Sequence, residues 1–206
     1  MKATILHPDA LSIPDTHRKT VYYGGDQEWY REEWPRKAGC GPTCAANITA
    51  YLAMTRAEMR PLYSREDTHI ENFSEHMEEV FHYITPGHMG LNRLEMYTDG
   101  MEQFVGSRGV ALQPHVFETA GNMCCERQSV EALGHFLMDG LACDCPIAFL
   151  NLTRGKVKNL QGWHWITITG ADMSDGHLYA MASDEGKEIT IDLRLWYLTT
   201  RMRGGF

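Results

Sequence analysis

A cysteine between two glycines, in Gly39-Cys40-Gly41-Pro42, stands immediately ahead of a stretch with helical periodicity. A thiol in that place is a candidate nucleophile. N–H groups at a helix start carry partial positive charge, which lowers a thiol pKa from about 8.5, and the same N–H groups can bind an oxyanion. The glycines admit close approach of a substrate backbone and unusual dihedrals, neither of which a packing cysteine needs, so Gly39 is expected to line the substrate site. A cysteine nucleophile requires a base within hydrogen-bond reach and a third group that fixes the ring of that base. Among ten histidines, His164 qualifies because it begins an alternating strand, His164-Trp165-Ile166-Thr167-Ile168, after a glycine-containing approach at 158–162. Asp184 ends the next strand, in Ala182-Ser183-Asp184-Glu185-Gly186. Antiparallel pairing through a turn at Asp175-Gly176 would set the start of the first strand beside the end of the second, making His164 and Asp184 neighbours. Asp172 falls at the opposite end of that pair and Asp192 lies farther along the chain, so both are poorer orienters.

The elements that must position these groups are legible in the pattern around them. Pro42 suits a first helical position, and Cys44, Ile48 and Leu52 recur at i+4 spacing through a helix ending near Arg56, with Cys44 packed in the core. Helical character returns at 74–83, with Phe73 as a staple, and at 91–105, where Gly100 works against it. The stretch 110–117 reads as extended, and 129–141 as a helix capped by Ser129. After Pro146 come short strands at 147–152, 163–170, 177–182 and 188–191, and a closing helix at 193–200 capped by Asp192. Helices first and sequential strands afterwards predict an α+β fold, with the helical part that carries Cys40 packed against an antiparallel sheet that carries His164 and Asp184.

A chain of 206 residues without repeats or linkers predicts a single domain, 1–206. A net charge of -8 with no basic cluster excludes nucleic acid and an anionic membrane surface as partners. No apolar run resembles a signal peptide or a membrane span, so a cytoplasmic location is expected. Six cysteines in such a chain are expected to be reduced. Neither Cys124-Cys125 nor Cys143-Asp144-Cys145 has the spacing of a zinc knuckle, so these four are expected to be small buried side chains, with no metal and no cofactor. The acidic run Glu75, Glu78 and Glu79 reads as a solvated helix face.

Taken together, Cys40-Gly41-Pro42-Thr43-Cys44-Ala45 entering a helix, His164-Trp165-Ile166-Thr167-Ile168, and Ser183-Asp184 after one further strand resemble the bacteriocin-processing cysteine peptidases of the C39 type, and more widely the papain-like superfamily. The resemblance covers the order and spacing of three short motifs, with a helix and strand at 129–152 ahead of the histidine. It implies a papain-like fold, Cys40 as nucleophile, His164 as general base and Asp184 as its partner, acting on a peptide or small amide. Cys44 does not meet the papain pattern, because Ala45 and not Trp follows it and the cysteine before it is four residues away. The resemblance also implies an oxyanion-hole glutamine shortly ahead of the cysteine, at the place Trp34 occupies. Gln27, within Gly24-Gly25-Asp26-Gln27-Glu28-Trp29, is the nearest, and an inserted loop with Tyr30, Trp34 and Pro35 would keep it in the hole. Trp29, Trp34, Trp163 and Trp165 flank these groups and are expected to wall a substrate groove, with core packing the alternative for at least half of them. The expected reaction is hydrolysis through a thioester acyl-enzyme. Acyl transfer to an amine, as in a transglutaminase-like enzyme, and a non-catalytic papain-like module that only binds a peptide are the alternatives.

Overall fold

In a computed structural model, which describes residues 1–119, 121 and 127–206, the chain opens with short strands β1 (Lys2–Thr4), β2 (Ser12–Asp15) and β3 (Thr20–Tyr23) and a 3-10 turn at Gln27–Trp29. Helices follow: α1 (Glu33–Ala38), α2 (Cys40–Thr55), α3 (Ile70–Phe81) and α4 (Leu94–Ser107). A short β4 (Glu118–Thr119) leads to α5 (Val130–Ala142), then β5 (Ile147–Asn151), β6 (His164–Asp172), β7 (Tyr179–Asp184), β8 (Lys187–Asp192), α6 (Leu193–Thr199) and β9 (Gly204–Gly205). The main sheet runs β4-β9-β5-β6-β7-β8, with β1 on the far half of β6, and its described pairings are antiparallel. The chain is therefore α+β, helices ahead of an antiparallel sheet, as its element order predicts. No helix among the described residues is long and apolar enough to cross a membrane.

The centre of the molecule is α2, buried from Gly41 to Ala53. Its many alanines leave room for neighbours on every side, and β5, β6 and α3 all pack against it. It begins at Cys40 itself, two residues ahead of the expected Pro42, which lies in the first turn where a missing N–H costs nothing. The caps on α5 and α6 form as predicted: Ser129 Oγ accepts from Ala132 N, and Asp192 Oδ1 from Leu195 N at 2.8 Å. Elsewhere the expected boundaries shift. α3 starts at Ile70, so Phe73 is an inward-facing helical residue and not a staple before the helix. Gly100 sits inside α4 because a Cβ there would meet the Tyr83 carbonyl at 2.7 Å. The stretch 110–117 forms no strand, and pairing there is confined to β4 against β9. The loop expected around Trp34 and Pro35 is instead α1.

Cys143 is exposed, contrary to the expectation of burial, since it caps the end of α5; Cys145 is half-buried, and Cys124 and Cys125 lie outside the described residues. The acidic face of α3 is partly neutralised: Arg65 lies 3.2 Å from Glu75 and 3.7 Å from Glu79, and Arg108 also pairs with Glu79.

On the other side of α2, His76 of α3 is fully buried, with Nε2 2.9 Å from Thr49 Oγ1 and Nδ1 without a partner, among Tyr63, Phe73 and Phe104. Burial drives its pKa down to about 3; the Ala46 carbonyl opposes this, and the Arg108 and Arg65 charges add to it. A histidine held neutral in this way contributes stability above its unfolded pKa of about 6.5 that is lost progressively as pH falls toward the folded value. Lowering the pH from about 7 to about 5 is expected to cost about 2 kcal/mol through His76 alone. Thermal melts of the wild type and His76→Phe should diverge over that range, and parallel pH profiles would show that His76 is not the source.

Candidate active site

Cys40 is the first residue of α2, so its N–H is among those a helix start leaves without an intrahelical acceptor. The thiol is half-buried. The glycines on either side are occupied by the protein itself. A Cβ on Gly39 would meet Tyr30 Cε2 at 2.5 Å and the Pro35 carbonyl, and one on Gly41 would meet Leu91 Cδ2 at 2.5 Å and Trp165 Cδ1 at 3.3 Å. Neither glycine adopts a positive φ. Gly39 is buried, so the expectation that it opens toward substrate is corrected: both glycines let α1, Tyr30 and Leu91 close around the helix start.

His164 and Asp184 meet as the predicted strand pairing requires. The β6–β7 connection turns at Asp175 and Gly176, with φ of 51° and 77°. Thr167 pairs with Ser183, which sets Asp184 diagonally across from His164 on the same face. His164 Nε2 lies 2.6 Å from Asp184 Oδ1, and only 8% and 10% of the two side chains remain exposed. Asp172, at the other end of the pair, is opposite Tyr179. With Nε2 committed to Asp184, Nδ1 is the ring nitrogen left for the Cys40 thiol, which lines the same pocket. Burial acts to lower the pKa of the ring, but the Asp184 hydrogen bond and the contact and charge of Cys40 outweigh it and push the value up to about 10. A raised histidine pKa stabilises the fold fully below the unfolded value of about 6.5, and that contribution is lost as pH rises through about 10.

Gln27 lines the same pocket as Cys40, His164 and Asp184. A polar network brings it there despite its distance along the chain. Asn47, two turns into α2 on the stripe of Cys40 and Cys44, accepts the Gly25 N–H at 2.8 Å. Its Nδ2 donates to Thr167 Oγ1 at 3.1 Å and reaches Ser183 Oγ at 3.5 Å, while Ser183 donates to the Tyr23 carbonyl at 2.7 Å. The segment is pinned again by Gly186 N to Gly25 O at 3.2 Å. Gly24 has φ +75°, and a Cβ there would land on Ser183 Oγ, so the turn needs glycine on both counts. Gln27 Oε1 is buried and without a hydrogen-bond partner, leaving the amide free to turn Nε2–H toward a ligand. Asn47 lies outside the three short motifs of the sequence, and Thr167 and Ser183 fall inside them without a role of their own. The available signal is Asn47, an uncapped amide inside an otherwise small and apolar helix, where a buried polar group must be answered.

The tryptophans divide. Trp165 is buried, stacks on Tyr97 with ring centres 4.5 Å apart and donates from Nε1 to the Leu91 carbonyl at 2.6 Å, so it joins β6 to α4 while also lining the pocket of Cys40 and His164. Trp29 packs edge-on against Tyr22 and Phe73. Trp34 and Trp163 are nearly half exposed. Trp163 immediately precedes His164 with φ 58°, a left-handed backbone that costs an L-residue about 1–2 kcal/mol.

Cys44, one turn below Cys40, is buried, donates to the Ile166 carbonyl at 3.3 Å and accepts from Thr167 Oγ1 at 3.3 Å. Burial pushes its thiol up to about 12, which makes it inert beside Cys40. Among the described residues, His164, Asp184 and Glu185 offer nitrogen and oxygen atoms within 4.8 Å of one another, a spacing a metal ion could draw together. No family model, curated protein or solved structure matches the chain.

Proposed function

We propose that the chain is a thiol hydrolase of papain-like type, cleaving an amide or peptide bond through Cys40, His164 and Asp184. The observation that carries this reading is the His164 ring, buried, 2.6 Å from Asp184 through Nε2 and lining one pocket with a thiol at a helix start. In the first step the Cys40 proton passes to His164 Nδ1, and the thiolate attacks the carbonyl carbon. The oxyanion is held by the Cys40 N–H and the Gln27 amide. His164 then gives its Nδ1 proton to the leaving nitrogen, the C–N bond breaks, and a thioester remains. Water, deprotonated by the same nitrogen, attacks the thioester, releasing the acid and returning the thiol. Each step is carried by these side chains and backbone groups without a cofactor. A cytoplasmic peptide or small amide is the proposed substrate.

A module that only binds peptides would not need Gln27 beside the thiol or the ring turned to it. The shared pocket therefore favours turnover. Acyl transfer to an amine would use the same acyl-enzyme, and comparing its release by water and by candidate amines decides between the two.

Iodoacetamide is expected to alkylate Cys40 faster than a free model thiol at about pH 6–7, because His164 takes the thiol proton as the sulfur attacks. In His164→Ala the rate should drop to that of the model thiol. Peptide mass spectrometry locates the label, and equal rates in the wild type and the model thiol would remove the activated nucleophile. Turnover should decline as pH rises through about 10, where His164 no longer carries the proton the leaving group needs.

A further inference from the structure

We propose that His164, Asp184 and Glu185 form a binding site for a divalent transition-metal cation, of the Zn²⁺ or Mn²⁺ class, whose occupancy switches turnover off. The switching rests on the hydrolase reading above; the binding does not. The ligand atoms of the three side chains already lie within 4.8 Å of one another. Metal bonds of about 2.1 Å in a tetrahedron bring such atoms to about 3.4 Å, so small side-chain movements close the site. One imidazole nitrogen and two carboxylates neutralise a divalent cation and match the preferences of these metals, with water completing the shell.

Glu185 is the member the catalytic steps do not use. It follows Asp184 directly and enters the β7–β8 hairpin with φ 47°, ahead of Gly186 at 72°. Such a turn favours Asn, Asp or Gly at this place. The turn thus retains a carboxylate beside the His164–Asp184 pair at a cost in backbone strain. One Glu185 oxygen accepts from Gln161 Nε2 at 2.9 Å, which steadies the side chain and leaves the second oxygen to a cation.

The cation would bind His164 Nε2 in place of its hydrogen bond to Asp184. A doubly protonated ring sheds its Nε2 proton to solvent and keeps the other on Nδ1, and a neutral ring moves its single proton from Nε2 to Nδ1. A ring in that state cannot take the Cys40 proton, and it gives up its own only reluctantly to a leaving amine. The switch therefore acts from the side of the ring opposite the thiol.

The test uses the full chain, stripped with chelator and titrated with Mn²⁺ while the free aquo ion is followed by electron paramagnetic resonance. Mn²⁺ avoids thiolates, so Cys143 and Cys145 do not compete. The expected result is saturable binding that weakens about tenfold or more in Glu185→Gln, which keeps an acceptor for Gln161. Zn²⁺ and Mn²⁺ should suppress turnover, with about tenfold more cation required in Glu185→Gln relative to the chelated rate of each protein. Equal binding by the two proteins, or no binding, overturns the site. A chain that binds Mn²⁺ through Glu185 yet turns over no amide in chelator overturns the hydrolase reading and with it the switch. A chain that binds Mn²⁺ through Glu185 and turns over amides at the same rate with either cation present overturns the switch and leaves the hydrolase reading standing.

Discussion

Cys40→Ser is expected to lose amide turnover by about 10³–10⁶-fold while keeping its fold, and Cys44→Ala is expected to do the reverse. The two thiols stand one helical turn apart and line one pocket, so the contrast isolates position from residue type. In the proposed reaction the His164 imidazole accepts the Cys40 proton; a serine hydroxyl there ionises too reluctantly to use the same partner. The exchange alters little volume at a half-buried site, and the melting temperature should barely move. Cys44 instead accepts from Thr167 and Tyr97 and donates to the Ile166 carbonyl, all within the core. Removing its sulfur leaves a void and unanswered hydroxyls, a cost of about 1–3 kcal/mol. Melting curves, together with the mass of the acyl-enzyme trapped at early times, read both effects. Turnover that survives Cys40→Ser but not Cys44→Ala would reverse the assignment of the nucleophile.

The proposed triad is legible in the sequence because each member is set by local features that the sequence displays. A cysteine at a helix start needs only the helix, and His164 and Asp184 need only two strands and the Asp175-Gly176 turn between them. The α+β class follows from the same succession of elements. What stays hidden depends on distant partners. β1, β2 and β3 have three or four residues each, too few for a periodic signal, and β1 exists because the far half of β6 offers it an edge. A short helix such as α1 is equally silent, and its Pro35 suggests a loop although proline is harmless in a first turn. The stretch 110–117 shows the converse, extended preference that forms no strand, although at its end Phe117 exchanges backbone hydrogen bonds with Phe206.

Gly39 departs from its expected role, and Trp165 does not. Gly39 and Gly41 do mark close approach, but the absence of a Cβ does not say whether substrate or the protein's own Tyr30 and Leu91 will use the space. Trp165, in contrast, takes both places that the sequence leaves open, core and site border. Neighbouring strand residues face opposite ways, so a His164 turned toward Asp184 leaves Trp165 to stack on Tyr97 while it still borders the pocket. The position of Gln27 is recoverable only through Asn47, whose polar side chain inside α2 signals that some backbone or hydroxyl group must come to meet it.

Asn47→Leu is expected to destabilise the fold by about 3–5 kcal/mol, lowering the melting temperature by about 10 °C, and to reduce kcat as well. Leucine fills the volume but cannot accept the Gly25 N–H or donate to Thr167 and Ser183, all of them buried. The Gly24-Gly25 turn then loses its anchor to α2, and with it Gln27 loses its place at the pocket. An oxyanion donor is worth about 10²–10³ in kcat. The alkylation rate of Cys40 should survive, because the His164–Asp184 pair does not depend on that turn. Gln27→Ala should show the same fall in kcat with little change in melting temperature, and Asn47→Asp, which keeps an acceptor for Gly25, should recover part of both losses. The split between turnover and alkylation is what separates a positioning role from simple loss of fold, since a partly unfolded protein would lose both together. If Asn47→Leu melts earlier but turns over amides at the wild-type kcat, the network holds the fold alone, and the oxyanion must be held without Gln27.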